Sequence, residues 1–291
     1  MKINIKMNGD GFVTIKGKLP GKKVMVLGGV HGNEYFGVEA IQEILKSIEI
    51  GEMKIERGKV TFGFGNLRAM EKGVRYTETN LNRMFKDKKD ILRQDKKRYE
   101  YKRSQIIKKY LNKVDVLLDV HGSYTPDSKP FVICEKNSKV ISDKLGVTDI
   151  VYGFDVVEPG GTDYYMNKMG KIGICVECGY LGENEKSKNF AKQTILNFLV
   201  ANGNVQINPL SPSKVEKKIK PKYLQMYQKY FAKTNNFRLS KYFKDFENVR
   251  KGQVVGTDGS DEIFCPKDSF ILFASNTNKV GAECFLLGSD R

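Results

Sequence analysis

The stretch Val24-Met-Val-Leu-Gly-Gly-Val-His-Gly-Asn-Glu34 constrains the fold more than any other part of the chain. Its first four residues form a short apolar run, which is typical of a buried strand. Two glycines then permit a tight turn, and the apolar residues after Glu34 recur at a spacing close to 3.6, which predicts a helix to about Ile48. The stretch therefore predicts a strand-to-helix turn that carries His31 and Glu34 three residues apart.

The alternation of apolar runs with helical patterns continues to about residue 201. It predicts one or two strands in residues 1–20, further strands over 58–66, 114–120, 131–134, 150–157 and 171–179, and helices ending near 112, 168 and 201. Strands that alternate with helices favour an α/β fold with a mostly parallel or mixed central sheet flanked by helices.

The pattern changes after residue 207. The segment Asn208-Pro-Leu-Ser-Pro-Ser predicts a linker, and beyond it the chain shows short strands and turns without a helical pattern. We therefore expect two domains, an α/β domain over 1–207 and a smaller all-β domain over 208–291.

The composition argues against several classes of protein. The net charge of +16 would suit nucleic acid, but the lysines are spread along the chain and no nucleic-acid motif with defined spacing is present. No apolar run approaches the ~20 residues of a membrane span, and the N-terminus lacks a signal-peptide core. We therefore expect a cytoplasmic protein with no nucleic-acid or membrane partner. A homo-oligomer is compatible with the sequence.

The five cysteines are scattered and odd in number, which favours reduced thiols over a disulfide framework. Cys175 and Cys178 form a Cys-x-x-Cys pair inside an apolar strand pattern. Residues three apart on a strand point to opposite faces, so we expect core thiols rather than a redox or metal pair.

The chain has only two histidines, and both follow strongly apolar runs. The carboxyl ends of parallel strands meet at one edge of a sheet, so His31, Glu34 and His121 can converge there. Two imidazoles and one carboxylate, with a position left open for water, form a common catalytic zinc set. We expect one Zn²⁺ per chain. The structural alternatives are a loop histidine beside a solvated Glu34, and a hydrogen-bonded His121 at a strand end.

Other side chains could complete a catalytic site. Glu177 lies in an otherwise apolar strand, where a carboxylate needs a partner, and it is the candidate general base. The alternative is that Glu177 is buried in a structural ion pair with an arginine or a lysine. The irregular segment 67–85 supplies Arg75, Asn82 and Arg83, and arginine can bind a carboxylate through two parallel hydrogen bonds. Each arginine alone is weak evidence, because surface arginines are common.

Taken together, these motifs resemble the succinylglutamate desuccinylase/aspartoacylase family, within the wider zinc carboxypeptidase superfamily. The resemblance comprises Gly-Gly-Val-His31-Gly-Asn-Glu34, Asn66-Leu-Arg-Ala-Met, Arg75-Tyr-Thr-Glu-Thr-Asn-Leu-Asn82-Arg83-Met-Phe, Asp119-Val-His121 and Val176-Glu177-Cys-Gly, in the family's order and spacing. The segments beginning at Val249 and at Cys265-Pro-Lys-Asp resemble the small β domain that caps the active site in these enzymes.

The resemblance implies zinc on His31, Glu34 and His121, with Glu177 as general base and later acid. It implies that Arg75 polarises the scissile carbonyl, and that Asn82 and Arg83 hold a substrate carboxylate. Two positions depart from the family pattern. Asn80 replaces an aspartate and makes the expected pocket more cationic, and Asn167 stands where aspartoacylase has an arginine. These departures argue against N-acetylaspartate as the substrate.

We therefore expect a zinc-dependent hydrolase that cleaves the amide of a small, anionic N-acyl amino acid or a related carboxylate-bearing amide. A metallocarboxypeptidase that acts on peptide C-termini is the nearest alternative, because only the pocket would differ. A non-enzymatic nucleic-acid-binding protein is the distant alternative.

Overall fold

The central feature of the computed structural model, which describes residues 7–206 and 220–290, is one large mixed sheet with helices on both faces. In the described residues the strands are β1 Phe12–Lys16, β2 Leu19–Gly28, β3 Arg57–Phe64, β4 Val116–Ser123, β5 Phe131–Cys134, β6 Asp149–Tyr152, β7 Ile172–Tyr180, β8 Lys222–Phe231, β9 Phe237–Leu239, β10 Glu247–Val249, β11 Val254–Asp258, β12 Asp261–Phe264, β13 Ser269–Leu272 and β14 Glu283–Asp290. The helices are α1 Tyr35–Glu49, α2 Leu67–Lys72, α3 Tyr99–Leu111, α4 Lys139–Ser142, α5 Phe154–Val157, α6 Thr162–Lys168 and α7 Asn184–Ala201, with short 3-10 turns at Leu81–Arg83, Lys88–Asp90, Asp95–Lys97 and Lys136–Ser138.

The sheet has the strand order β1-β3-β2-β4-β7-β5-β6-β8-β14-β13-β10. Strands β3, β2, β4 and β7 run parallel to one another, and β5 is antiparallel to β7. A separate three-stranded sheet has the order β12-β11-β9. This architecture confirms the expected α/β fold with a smaller β region at the C-terminal end.

Alternation along β2 explains why helices cover both faces of the sheet. Val24 and Val26 pack in one core cluster with residues of α1 and α7, whereas Met25 and Leu27 pack in another with residues of α3 and α6. All four side chains are fully buried. A strand that is buried on both faces has a continuous run of apolar residues, and such a run predicts β2 from the sequence.

The C-terminal strands do not form a detached sheet. Strand β8 pairs in parallel with β6, and β14, β13 and β10 then extend the same sheet in antiparallel fashion. The expected linker and the 207/208 boundary lie outside the described residues, as do the first six residues, so the two-domain division stays a prediction. No helix in the described part of the chain is long and apolar enough to cross a bilayer.

The predicted strand over 150–157 is wrong in its second half. Strand β6 ends at Tyr152, and Gly153 has a φ of +89°, a left-handed conformation that glycine adopts readily. The chain then forms the short helix α5, so that Asp155 and Glu158 can face the interior cavity described below. A second, smaller difference is that β4 continues to Ser123, so His121 lies within the strand rather than after it.

A buried carboxylate fixes the irregular segment between α2 and α3. Glu100 of α3 is fully buried and accepts hydrogen bonds from the Thr77 amide and hydroxyl, both at 2.7 Å, and from the Thr79 amide at 3.2 Å. Burial raises the pKa of Glu100, but these hydrogen bonds outweigh it, so the net pKa lies below the ordinary value of 4.5. Glu100 thus holds the segment that carries Arg75, Asn82 and Arg83.

Replacing Glu100 by glutamine should destabilise the fold by about 2–4 kcal/mol, because an amide nitrogen would face donors that now bind a carboxylate. Urea unfolding monitored by circular dichroism measures the change, and Glu71→Gln at an exposed position should shift stability by less than about 0.5 kcal/mol. In the wild type, the contribution of ionised Glu100 to the free energy of unfolding is present above pH 4.5. It is lost as the pH falls through the lowered pKa of Glu100 in the folded state. A Glu100→Gln variant as stable as the control would contradict this role.

Candidate metal centre

Three buried side chains converge at the carboxyl edge of the central strands. His31 lies in the turn after β2, Glu34 directly precedes α1, and His121 lies in β4, the neighbour of β2 in the sheet. The register that pairs Gly28 with Val120 places His121 one residue beyond the end of β2. The turn is tightly packed, since a Cβ at Gly32 would lie 2.2 Å from the backbone of Ala69.

The potential ligand atoms of these residues lie within 4.8 Å of one another. Nδ1 of His31 is 2.8 Å from Oε1 of Glu34, and Nδ1 of His121 is 3.1 Å from Oε2 of the same carboxylate. The two Nδ1 atoms are 3.3 Å apart. Convergence of two imidazole nitrogens on one carboxylate, at a site no more than 3% exposed, fits a divalent metal ion.

The charges of this cluster also suit a cation. Burial lowers the pKa of His31 to about 4, so this imidazole is neutral and has a lone pair available. Burial also opposes the charged form of His121, but the carboxylates of Asp119 and Glu34 outweigh it and raise its pKa well above the ordinary value. A group that is held protonated by two carboxylates is one where a metal ion can replace the proton.

Each histidine has an oxygen beside its outer nitrogen. Nε2 of His121 is 3.0 Å from Oδ2 of Asp119, which also accepts a hydrogen bond from the Thr162 hydroxyl. Nε2 of His31 is 3.2 Å from Oδ1 of Asn80. Such partners orient metal-binding imidazoles, and a carboxylate also raises their basicity. The replacement of aspartate at position 80 therefore gives His31 a neutral partner where His121 has an anionic one.

Glu177, the candidate general base, lies beside the cluster. In the register of β4 and β7 it is paired with His121, and its side chain lines the same cavity. Glu177 is 8% exposed, and its Oε2 has no hydrogen-bond partner in the described structure. Burial raises the pKa of this carboxyl to about 8. These are the properties of a carboxyl that can exchange a proton near neutral pH.

Arg75 reaches the cluster from the irregular segment. Its Nη1 donates a hydrogen bond to Oε1 of Glu34 at 3.2 Å, and its guanidinium carbon lies 5.3 Å from the ring centre of Tyr124. About a third of the Arg75 side chain remains exposed, so part of the guanidinium is open to a ligand. Asn82 lines the cavity as well, and its Oδ1 is buried without a hydrogen-bond partner in the described structure.

Arg83 also lines the cavity, but it is already engaged. It forms ion pairs with Glu158 and with Glu283, and Lys229 contacts the same two carboxylates. We call these four residues the Arg83 cluster. Asn167 lies outside the cavity lining, where its Oδ1 accepts a hydrogen bond from the Gly173 amide at 2.9 Å.

The cavity has a volume of about 450 Å³ and is lined by residues of the α/β part of the chain and of the C-terminal β region. The C-terminal region contributes Tyr242, Phe273, Ala274, Ser275 and Glu283.

Asp245 fastens this region to the segment that follows His121. It accepts hydrogen bonds from the hydroxyls of Ser123, Thr125 and Ser128 and from the Phe273 amide, at 2.7–3.3 Å. The C-terminal region is therefore part of the cavity wall.

Sequence reasoning missed several of these residues. Asp119 carried the same signal as Glu177, a charge inside an apolar run, and could have been found. Glu100 lies in a lysine-rich helix, Asp245 lies among other charged residues, and Glu283 precedes an apolar run rather than interrupting it, so no local pattern distinguished them. Cys175 and Cys178 are buried in β7 with free thiols, as expected.

Comparisons with known proteins agree with this architecture. A family model described as the succinylglutamate desuccinylase/aspartoacylase catalytic domain matches residues 20–201. A succinylglutamate desuccinylase of Pseudomonas syringae is 40% identical over 65 residues, or 22% of this chain and 19% of that protein. The chain thus spans about a fifth of the length of this curated relative.

Solved structures extend the likeness over the whole fold. A succinylglutamate desuccinylase from Vibrio cholerae superimposes with a TM-score of 0.79 at 17% identity, covering 96% of this chain and 85% of that one. The corresponding protein from Vibrio parahaemolyticus gives a TM-score of 0.77 at 18% identity, covering 96% and 86%. At these identities the likeness concerns the fold.

The geometry predicts that Asp119→Asn weakens metal binding by about 10–100-fold, because His121 loses its anionic partner. Competition with a chelating indicator, with Zn²⁺ and Co²⁺ as probes, measures the affinity. His121→Gln should lose more than Asp119→Asn, whereas Asp115→Asn, at the opposite end of β4, should stay within about twofold of the wild type. Equal affinities for Asp119→Asn and Asp115→Asn would contradict the assigned role of Asp119.

Proposed function

The chain belongs to the succinylglutamate desuccinylase/aspartoacylase family, and we propose that it is a zinc-dependent hydrolase of small amides. The bond cleaved is the amide of a small N-acyl amino acid or a related carboxylate-bearing amide. The observation that carries the proposal is the buried convergence of His31, Glu34 and His121 in the same cavity as Glu177 and Arg75. Members of this family are deacylases, which supports the proposed reaction class, and the substrate is part of the same proposal.

Zinc is the proposed metal because two imidazoles and one carboxylate are a donor set that it prefers. When bound, it would supply an acidified water molecule and a Lewis acid for the amide carbonyl. His31, Glu34 and His121 would hold it, with Asp119 and Asn80 orienting the two imidazoles. We propose one ion per chain.

Glu177 is the proposed general base. Its carboxylate would accept a proton from the attacking water and then donate it to the leaving amine. The free Oε2 and the pKa of about 8 support both roles, because a carboxyl titrating near neutral pH can take up and release a proton. Its position in β7 next to β4 fixes it beside His121.

Arg75 is the proposed group that stabilises the oxyanion. The part of its guanidinium that does not bind Glu34 can donate to the carbonyl oxygen as negative charge develops there. Asn82 and Arg83 remain the proposed contacts of a substrate carboxylate. The amide nitrogen of Asn82, which lines the cavity, would donate to that carboxylate, whereas Arg83 has to exchange partners within the Arg83 cluster before it can bind one.

The cavity favours a small substrate over a peptide. A volume of about 450 Å³ suits a molecule of metabolite size, and residues of the C-terminal region form part of the cavity wall. We therefore retain the proposal that residues 208–291 form a cap and that the substrate is small and anionic. The free cysteines suit the reducing cytoplasm, where we place the activity.

A hydrolysis screen tests the proposal directly. The zinc-loaded protein is incubated with N-acetyl, N-succinyl and N-formyl amino acids and, in parallel, with short peptides, and free amine is measured. Release of amine from one of the N-acyl amino acids supports the proposal. Cleavage confined to the peptides would establish the carboxypeptidase alternative. Absence of zinc from the purified protein, with salt-dependent retention on DNA, would favour the binding-protein alternative.

Glu177→Gln should lower kcat by about 10²–10⁴-fold while zinc remains bound, because the amide cannot accept the proton. Steady-state kinetics and metal analysis on the same sample measure both quantities. Glu135→Gln is the matched control, since Glu135 is another partly buried carboxyl but lies outside the cavity lining. Near-normal turnover by zinc-loaded Glu177→Gln would remove Glu177 from this role.

A further inference from the structure

The Arg83 cluster already contains what a substrate carboxylate would supply. Glu283 accepts hydrogen bonds from Arg83 Nε at 3.3 Å and from Arg83 Nη2, which is 3.1 Å from each of its two oxygens. Engagement of Nε and Nη2 by one carboxylate is the side-on geometry with which arginine binds carboxylate ligands. Glu283 therefore occupies the edge of the guanidinium that a ligand would use.

Both terminal nitrogens of the guanidinium also donate to other groups of the chain. Its Nη2 donates a hydrogen bond to Glu158, and its Nη1 donates to the backbone oxygen of Asn82 at 2.9 Å. Lys229 donates to Glu158 at 3.2 Å and to Glu283 at 3.0 Å. Both cations of the Arg83 cluster are thus already paired with carboxyl groups of the chain.

The partners differ in how easily they can be replaced. The side chains of Lys229 and Glu158 are 7% and 10% exposed, so these two groups are fixed inside the protein. Glu283 is 39% exposed and lines the cavity, so it is the carboxylate that an entering ligand meets. A carboxylate that is to bind Arg83 must first displace that of Glu283.

We infer that Glu283 is a specificity-determining residue. It competes with a substrate carboxylate for Arg83, and it thereby directs the site towards amides that have no carboxylate at the end of the molecule facing Arg83. A substrate whose single carboxylate binds Asn82, the other contact proposed for it, leaves Glu283 in place. A substrate with a second carboxylate directed at Arg83 has to break existing ion pairs, so its extra charge adds little affinity.

This inference rests on the proposed function only in taking this cavity as the substrate site, and it is tested by binding rather than turnover. Succinate and butyrate have the same chain length, but succinate has one additional carboxylate. Their dissociation constants for the zinc-loaded protein are measured by calorimetry. In the wild type the two constants should lie within about threefold of each other, because Arg83 is occupied.

Removing the Glu283 carboxylate should allow the second carboxylate of succinate to bind Arg83. In Glu283→Gln, and in Glu283→Ala as a second variant, succinate should bind about tenfold more tightly relative to butyrate than in the wild type. Glu283→Asp retains the charge and should retain the wild-type ratio. Asp290→Asn removes a carboxylate at the other end of β14, where Asp290 pairs with Lys222, and should also leave the ratio unchanged.

Two results would overturn the inference. One is a wild-type protein that already binds succinate more than about tenfold more tightly than butyrate. The other is a ratio that stays within about twofold of the wild-type value in folded Glu283→Gln and Glu283→Ala. A shifted ratio in a protein that hydrolyses none of the screened amides supports the inference and contradicts the proposed function, so the two can fail separately.

Discussion

The carboxylate of Glu34 is the group on which the site depends. It is 1% exposed, and two imidazoles, one guanidinium and the Gly122 amide surround its two oxygens. An ionised carboxylate at this depth is stable only with such partners, and they come from three separate parts of the chain. Burial of this one charge therefore ties the turn after β2, strand β4 and the irregular segment together at one point.

The sequence was most informative where a residue contradicted its surroundings. Apolar runs predicted the central strands because burial on both faces leaves little room for polar side chains, and the two histidines and Glu177 stood out against those runs. The irregular segment could be recognised as unusual, but its conformation depends on Glu100, which is distant in sequence and has no local signature. The same limit applies to residues 150–157, where a single glycine conformation turns an apparent strand into a helix.

The distribution of charge in the cavity became clear only from the three-dimensional structure. From the sequence, Asn80 in place of an aspartate suggested a more cationic pocket, and Arg83 was expected to hold a substrate carboxylate. The structure pairs Arg83 with Glu158 and Glu283, and it places Asn80 beside His31 as a neutral partner. The change at position 80 therefore bears on the metal centre, while the charge facing a ligand is set by residues more than 70 positions away along the chain.

The separation of Arg83 from Glu283 by 200 residues has a consequence for the growing chain. Synthesis proceeds from the N-terminus, so His31, Glu34 and His121 leave the ribosome before Glu177, and all of them precede the cavity wall contributed by the C-terminal region. Strand β14 is the last strand described and joins β8 and β13, both of which are made before it. The contact between Arg83 and Glu283 therefore cannot form until β14 has been made, and before that point Glu158 is the only carboxylate of the Arg83 cluster in the growing chain.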